Sequence, residues 1–195
     1  MLGLHIAEHC NLNCAHCSHF SPLAEKQLMP IKTFKRDIER MAELFNHECE
    51  LIQLYGGEPL LHPEIITLIE IARKNFTSGR IHILTNGILL AQQPPEFWKA
   101  CHDNNIDVAV SHYNIDINLP RIYELAKEYD VVFRCADYSL MKFQTMHIDL
   151  SGKSDGRKNF YGCGKLYTCP FAYTNFSRKV LAEWGRSKLE MSEWV

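Results

Sequence analysis

The stretch Cys10–Cys17 reads CNLNCAHC and places three cysteines within eight residues near the start of the chain. This spacing is short enough to bring three thiolates onto one small centre. Soft thiolate ligands select zinc, copper(I) or an iron–sulfur cluster. A structural zinc site and a cubane cluster each normally take four protein ligands. Because the stretch supplies three, one coordination position of the centre is left for another ligand.

Two other interpretations fit the same spacing. Zinc would take His16 or His19 as its fourth ligand, although zinc sites usually present two separated ligand pairs. Alternatively, the three cysteines are unliganded thiols, since free cysteine packs as a small hydrophobic side chain. A disulfide framework is not expected, because nothing in the sequence indicates secretion. The spacing alone favours an iron–sulfur site and leaves zinc open.

A second motif, Gly56-Gly57-Glu58-Pro59, directly follows the apolar run at 51–55. Glycines at the end of a strand let the backbone approach a ligand closely. The glutamate offers an acceptor for an amine. On its own, however, this motif more often marks an ordinary turn between a strand and a helix.

In this order, the cysteine stretch after the first predicted strand and the GGEP turn after the second resemble the radical S-adenosylmethionine (SAM) enzymes. The resemblance covers roughly residues 3–150. It implies a [4Fe–4S] cluster whose fourth iron is chelated by SAM, held by three thiolates: Cys10, Cys14 and Cys17. It also implies a turn formed by Gly56, Gly57, Glu58 and Pro59. The glutamate of this turn would bind the methionine amino group of SAM. His16 would lie near the adenine.

The resemblance further implies the reaction. One electron from the reduced cluster would cleave the sulfonium to methionine and a 5′-deoxyadenosyl radical, which would take a hydrogen atom from the substrate. The cofactors carry this chemistry, and the protein supplies position and exclusion of water. The implied partners are an electron donor of the flavodoxin or ferredoxin type and a small-molecule or peptide substrate.

Short apolar runs alternate with helix-like segments along the chain. The runs at 4–7, 51–55, 81–85, 108–110 and 131–133 predict strands, and 146–150 is a candidate for a sixth. Helical periodicity is clearest in the apolar series Ile31, Phe34, Ile38, Met41 and Phe45. Further helices are predicted from His62-Pro63, Pro94-Pro95 and Pro120. This alternation predicts an α/β fold of parallel units. The resemblance implies the specific form, an open, partial (β/α)6 TIM-like barrel of the radical SAM type.

Parallel units place their ligand sites at the carboxyl ends of the strands. Both motifs fall at such ends, and so do three further polar residues: Asn86, Ser111 and Arg134. In the family, polar groups at these ends commonly meet the ribose and carboxylate of SAM. The resemblance therefore nominates these three residues as SAM contacts, although each is equally typical of an ordinary turn or rim position.

The last part of the chain departs from the regular pattern. A polar, glycine-containing loop near Gly152 predicts a boundary between a core at 1–150 and a short tail at 151–195. The run 163–170, CGKLYTCP, resembles the opening of the SPASM or Twitch extensions, which hold auxiliary iron–sulfur clusters. It implies an auxiliary cluster at Cys163 and Cys169, but the tail contains no further cysteine. Cys135 is a candidate third ligand.

Composition excludes several classes of protein. A formal net charge of −2 gives no attraction to nucleic acid or to a lipid surface. No apolar run approaches the ~20 residues of a spanning helix. Eight cysteines without an export signal indicate metal or redox use in a reducing, cytoplasmic compartment.

Two functional classes are predicted. The first is a radical SAM enzyme that acts on a peptide, as a maturase does, or on a sugar. Within this class, an activase of a glycyl-radical enzyme or a small deazapurine-type synthase is the alternative. The second class is a non-catalytic iron–sulfur or zinc protein on the same scaffold. The GGEP turn favours the enzyme, since a purely structural site needs no amine-binding glutamate.

Overall fold

A computed structural model of the chain describes residues 1–14, 19, 21, 24–113 and 115–137, together with three short strands in the last forty residues. Five strands form the centre of the fold: β1 (Leu2–Ala7), β2 (Leu51–Gly56), β3 (Arg80–Thr85), β4 (Ile106–His112) and β5 (Phe133–Asp137). Consecutive members of this set pair side by side, and every pairing is parallel.

A helix lies between each pair of consecutive central strands. The four helices are α1 (Ile31–Leu44), α2 (Ile65–Asn75), α3 (Pro95–Asp103) and α4 (Leu119–Glu128). Each follows its strand and leads to the next parallel strand, as βαβ units require. The described residues therefore confirm the α/β class, and the parallel sheet agrees with a partial TIM-like barrel.

The free edge of β1 is extended by strands from the end of the chain. These are β6 (Asn159–Gly162), β7 (Lys165–Tyr167) and β8 (Leu189–Glu190). β6 is parallel to β1, whereas β7 and β8 continue the sheet as antiparallel neighbours, giving the order β5-β4-β3-β2-β1-β6-β7-β8. The candidate strand at 146–150 lies outside the described residues. The boundary between 150 and 151 remains a prediction.

The central sheet has one apolar face and one polar face. Alternate residues along a strand point to opposite faces, and we call the face that packs against α1–α4 the outer face. Its strand residues are fully buried in a single apolar core and include Leu4, Leu54, Ile83 and Val108. We call the opposite face the inner face. It carries polar or aromatic side chains on all five strands: His5, Gln53, Tyr55, His82, Asp107, Ser111 and Arg134.

Helix termini explain where several elements begin. Pro95 occupies the first turn of α3, where its missing N–H costs no hydrogen bond. The Asn118 side chain accepts from the Arg121 N–H at 3.2 Å and so caps α4. The helix predicted from His62-Pro63 starts later, at Ile65. Instead, His62 is buried, with Nε2 2.9 Å from the Met29 carbonyl oxygen. Among the described residues, no helix is long and apolar enough to span a bilayer.

Candidate cofactor site at the carboxyl edge of the sheet

An open pocket lies at the carboxyl edge of the sheet. It contains about 480 Å³ of empty space, counted with its open mouth. Its walls come from the loops after β1–β4 and from the strand ends themselves: Cys10, Leu12, Cys14, His19, Tyr55, Gly56, Gly57, Leu84, Thr85, Asn86, Ser111 and Tyr113. The pocket therefore unites both sequence motifs with the strand-end polar residues Asn86 and Ser111.

Two of the three predicted ligand cysteines lie on the pocket wall. Cys10 and Cys14 are half-buried, so their sulfurs have access to the pocket while the loop backbone is anchored. Cys17 and His16 lie outside the described residues. No group of three or more His, Cys, Asp or Glu side chains capable of holding a metal occurs in the part of the chain that the structure describes, a part that excludes the third cysteine.

The glycine turn is bound directly to the start of the cysteine loop. The Gly57 N–H donates to the Ala7 carbonyl oxygen at 2.7 Å, and the Glu58 N–H donates to the His9 carbonyl oxygen at 3.0 Å. A Cβ atom on Gly57 would lie 2.2 Å from the His9 oxygen, so only glycine permits this approach. The turn thus fixes the backbone that leads into Cys10.

The carboxylate of Glu58 is fully buried and does not line the pocket. Oε1 accepts from the Leu60 N–H at 3.0 Å and from the Thr85 hydroxyl at 2.7 Å, and Oε2 accepts from the Asn86 N–H at 2.9 Å. Burial raises the pKa of Glu58, and these three hydrogen bonds oppose part of that rise. Glu58 therefore joins the ends of β2 and β3. Pro59, also buried, opens the short 3-10 helix that follows.

Asn86 connects this buried glutamate with the cysteine loop. Its backbone N–H is held by Glu58, while its side-chain Nδ2 lies 2.7 Å from Asn11 Oδ1 and 3.6 Å from Cys10 Sγ. Asn86 Oδ1 accepts from the Ile88 N–H at 3.0 Å. The residue is 6% exposed, so the amide is part of the pocket wall with a fixed orientation.

Ser111 and Arg134 occupy different levels of the inner face. Ser111 lines the pocket, and in the sheet register it is opposite Ala136. Arg134 is opposite Ala109, two residues further from the carboxyl edge. The prediction that Arg134 lies at the carboxyl end of β5 is wrong, because the strand runs from Phe133 to Asp137.

A group of three polar side chains below the pocket was missed by sequence reasoning. His82 Nε2 lies 3.1 Å from Asp107 Oδ2, and the Arg134 Nε donates to the same oxygen at 3.3 Å. Three neighbouring strands supply these residues. In the sequence, the residues from consecutive strands are 25 or more positions apart. Only the strand register, which the sequence pattern does not define, could have revealed the group.

Three rings that sequence reasoning did not group together form one side of the pocket region. His5 stacks on His19 with a centroid distance of 5.6 Å, and Tyr55 meets both rings edge-on at 5.8 and 5.4 Å. Burial, with a smaller contribution from repulsion by His5, lowers the pKa of His19 to about 3. The alternation of β2 could have indicated Tyr55, since it follows the outer-face residue Leu54.

The remaining cysteines contribute no ligand among the described residues. Cys135 packs against the apolar core on the outer face of β5. Burial, followed by the nearby charge of Asp137, raises the pKa of its thiol. Cys163 and Cys169 lie outside the described residues, so an auxiliary cluster remains a prediction.

The residues present fit an iron–sulfur cluster with a second ligand beside it. Two soft thiol donors face one pocket, and Gly57 forms a turn that a Cβ atom would fill. Polar groups of Asn86 and Ser111 line the same space, in which an amino acid or nucleoside portion could form hydrogen bonds. The donor set is suited to a cluster rather than to a hard cation such as Mg²⁺.

Solved structures support the fold. The structure titled BtrN in complex with AdoMet and 2-DOIA has a TM-score of 0.67 and 16% identity over 95% of this chain and 82% of that chain. The structure of a histidine-tagged anSMEcpe with bound AdoMet has a TM-score of 0.55 and 25% identity over 69% of this chain and 42% of that chain.

Curated relatives match about half of the chain. GTP 3',8-cyclase of Chlorobaculum tepidum is 38% identical over 43% of this chain and 24% of its own length. Molybdenum cofactor biosynthesis protein 1 of Bos taurus is 34% identical over 51% of this chain and 16% of its own length. The antilisterial bacteriocin subtilosin biosynthesis protein AlbA of Bacillus subtilis is 28% identical over 54% and 22%. The matched part spans a quarter or less of each relative.

A family model matches most of the chain. The radical SAM superfamily model covers residues 4–140, which include most of β1, the whole of β2–β5 and both motifs. Members of this superfamily are enzymes that use a [4Fe–4S] cluster and SAM, in agreement with the donors on the pocket wall. On this match and on the fold, the chain belongs to the radical SAM superfamily.

Proposed function

We propose that the chain holds a [4Fe–4S] cluster on Cys10, Cys14 and Cys17, cleaves SAM reductively and acts on a small-molecule or peptide substrate. The observation that carries this proposal is the pair of backbone hydrogen bonds from Gly57 and Glu58 to Ala7 and His9. They hold the glycine turn against the start of the cysteine loop at one pocket. A ligand in that pocket would contact the cluster and the turn together.

The bound cofactors would supply the electron that cleaves SAM and the 5′-deoxyadenosyl radical that takes a hydrogen atom from the substrate. The residues of the chain bind and orient these reactants. Ser111, on the pocket wall, would offer a hydroxyl to the polar groups of SAM. The guanidinium of Arg134 would extend along the inner face toward the SAM carboxylate. Its Nε donates a hydrogen bond to Asp107. Such positioning is worth several kcal/mol when the reacting atoms are aligned.

The substrate class rests on the named relatives. One is a cyclase named for GTP and another is a biosynthesis protein named for a bacteriocin, so both small molecules and peptides are represented. Tyr113 lines the pocket and could contact a substrate there. An electron donor of the flavodoxin or ferredoxin type completes the proposal.

The test compares cysteines inside and outside the loop. The variant with Cys10, Cys14 and Cys17 all changed to alanine should lose about four irons per chain. Its matched control changes Cys49, a half-buried cysteine elsewhere, to alanine and should retain the iron. Unchanged iron content in the loop variant would contradict the cluster assignment.

Catalysis is tested separately on the intact chain. Reduced, iron-reconstituted protein should form 5′-deoxyadenosine from SAM, measured by liquid chromatography. Because substrate can be required for cleavage, the spectrum of the cluster is also recorded before and after addition of SAM. If neither 5′-deoxyadenosine nor a spectral change is found, the protein is a non-catalytic iron–sulfur protein.

A further inference from the structure

The side-chain amide of Asn86 lies against a sulfur that the proposed cluster uses. Its Nδ2 is 3.6 Å from Cys10 Sγ, within the range of an N–H···S hydrogen bond. We propose that Asn86 raises the reduction potential of the cluster by donating this hydrogen bond to Cys10. The inference rests on the proposed function, because it requires the cluster to be present.

The orientation of the amide is fixed by its other partners. An asparagine amide has an accepting oxygen and an NH₂ group with two hydrogens. The Asn86 oxygen accepts from the Ile88 N–H at 3.0 Å, so it faces away from the cysteine loop. The NH₂ group then has two acceptors for its two hydrogens, Asn11 Oδ1 at 2.7 Å and Cys10 Sγ at 3.6 Å. A flipped amide would lose the hydrogen bond to Ile88 and would place an oxygen against both acceptors.

The buried glutamate of the second motif holds Asn86 in this position. Glu58 Oε2 accepts the Asn86 backbone N–H at 2.9 Å, and Glu58 Oε1 accepts the Thr85 hydroxyl at 2.7 Å. A continuous series of contacts therefore runs from Glu58 through Asn86 to Cys10. Glu58 acts as a positioning residue for Asn86, and Asn86 is the residue that touches a cluster ligand.

The sign of the effect follows from electrostatics. Reduction adds one negative charge to the cluster and its sulfurs, and an N–H dipole aimed at a sulfur stabilises that charge. Hydrogen bonds to the sulfurs are one of the properties that set the potential of such clusters. The Leu12 N–H also donates to Cys10 Sγ, at 3.4 Å, but a backbone donor cannot be removed by substitution without changing the backbone. Asn86 is therefore the donor to this sulfur that substitution can test.

The test uses Asn86→Asp in the iron-reconstituted full chain, titrated by electron paramagnetic resonance without SAM. Aspartate keeps the size of the side chain, the oxygen that accepts from Ile88 and the backbone N–H bound by Glu58. It replaces the donating NH₂ with an oxygen. At a fixed potential, the ratio of reduced to oxidised cluster should fall by about tenfold or more, a shift of about 59 mV to lower potential for a one-electron couple.

The matched control is Asn104→Ala. Asn104 also donates its Nδ2 to a protein oxygen, the Ala100 carbonyl at 2.9 Å, but at the end of α3 and not at the pocket. The reduction potential of the cluster in Asn104→Ala should equal that of the wild type. An equal shift in this control, or a full cluster with unchanged potential in Asn86→Asp, overturns the inference.

Two further experiments test the inference if Asn86→Asp does not hold the cluster. Asn86→Ala removes the donor without adding charge and should lower the potential in the same direction. If neither variant holds the cluster, wild-type protein labelled with ¹⁵N in asparagine should show a hyperfine coupling to the reduced cluster, and absence of this coupling overturns the inference. Wild-type protein that takes up no iron would instead contradict the proposed function itself.

Discussion

The outer and inner faces of the central sheet are built from alternate residues of the same strands, yet they differ in almost every respect. On the outer face, Leu54 and Ile83 are fully buried among the helices. On the inner face, their neighbours Tyr55 and His82 carry polar atoms toward the pocket and toward Asp107 below it. The outer face therefore accounts for the stability of the fold, and the inner face positions the groups that can do chemistry.

Polar groups on the inner face lie close to other polar groups. His5 Nδ1 lies 3.6 Å from a Glu8 oxygen, and His82 lies 3.1 Å from Asp107. An unpaired charge at such depth would cost several kcal/mol. If this comparison is correct, substitutions on the two faces should differ in kind: one should reduce stability, whereas the other should change hydrogen bonding, ligand binding and pH dependence.

The largest effect is expected on the helix side. Phe34 on α1 is fully buried in the outer core, so Phe34→Ala should lower the free energy of unfolding by about 3–5 kcal/mol. Phe45, directly after the same helix, is 36% exposed and provides the matched control. Phe45→Ala should cost much less in urea unfolding. Equal losses in the two variants would mean that the outer core does not dominate stability.

A smaller effect is expected where the two motifs meet. Glu58→Gln leaves an NH₂ group facing one of the three donors, so it should lower the free energy of unfolding by about 1.5–3 kcal/mol. Glu64→Gln changes an exposed glutamate before α2 and should be within about 0.5 kcal/mol of the wild type.

Glu58→Gln also separates the two roles considered for this glutamate. Measuring SAM affinity and urea unfolding on the same preparation distinguishes them. Unchanged stability with weakened SAM binding would favour contact with the ligand amine. Reduced stability would favour the structural link between β2 and β3 that the three hydrogen bonds describe.

Local patterns predicted the outer face well. Helical spacing correctly indicated Phe34, Ile38 and Met41 as buried. It failed at Phe45, because α1 ends at Leu44 and its next residue turns out of the helix. The parallel α/β class followed equally well from the alternation of strands and helices. These features depend on residues close together in the sequence.

The inner face could not be predicted to the same degree. The link from Glu58 to Thr85 and Asn86 joins residues almost thirty positions apart, and it exists only because β2 and β3 end side by side. Strand β5 begins later than its apolar residues predict. Asp130 adopts a left-handed conformation with φ 52°, and the Val131 N–H still bonds back to α4, so the chain extends only from Phe133. Arg134 therefore lies within the strand.

The smallest effect concerns the contact between His82 and Asp107 below the pocket and is a dependence on pH. Burial lowers the pKa of His82 below its ordinary value of 6.5; Asp107 opposes this shift, whereas Arg80 and Arg134 reinforce it. The folded protein then binds fewer protons than the unfolded chain just below that value. Stability should therefore fall as the pH decreases through this window.

Removing the imidazole should remove this contribution. In His82→Gln, the decrease in the free energy of unfolding between about pH 7 and about pH 5 should be smaller than in the wild type, as measured by urea unfolding at each pH. His102→Gln, which removes an exposed histidine from α3, controls for the loss of an imidazole in general. If His82→Gln loses as much stability on acidification as the wild type, the buried pair is not responsible for this pH dependence. The inner face would then differ from the outer face in its chemistry but not in its response to protons.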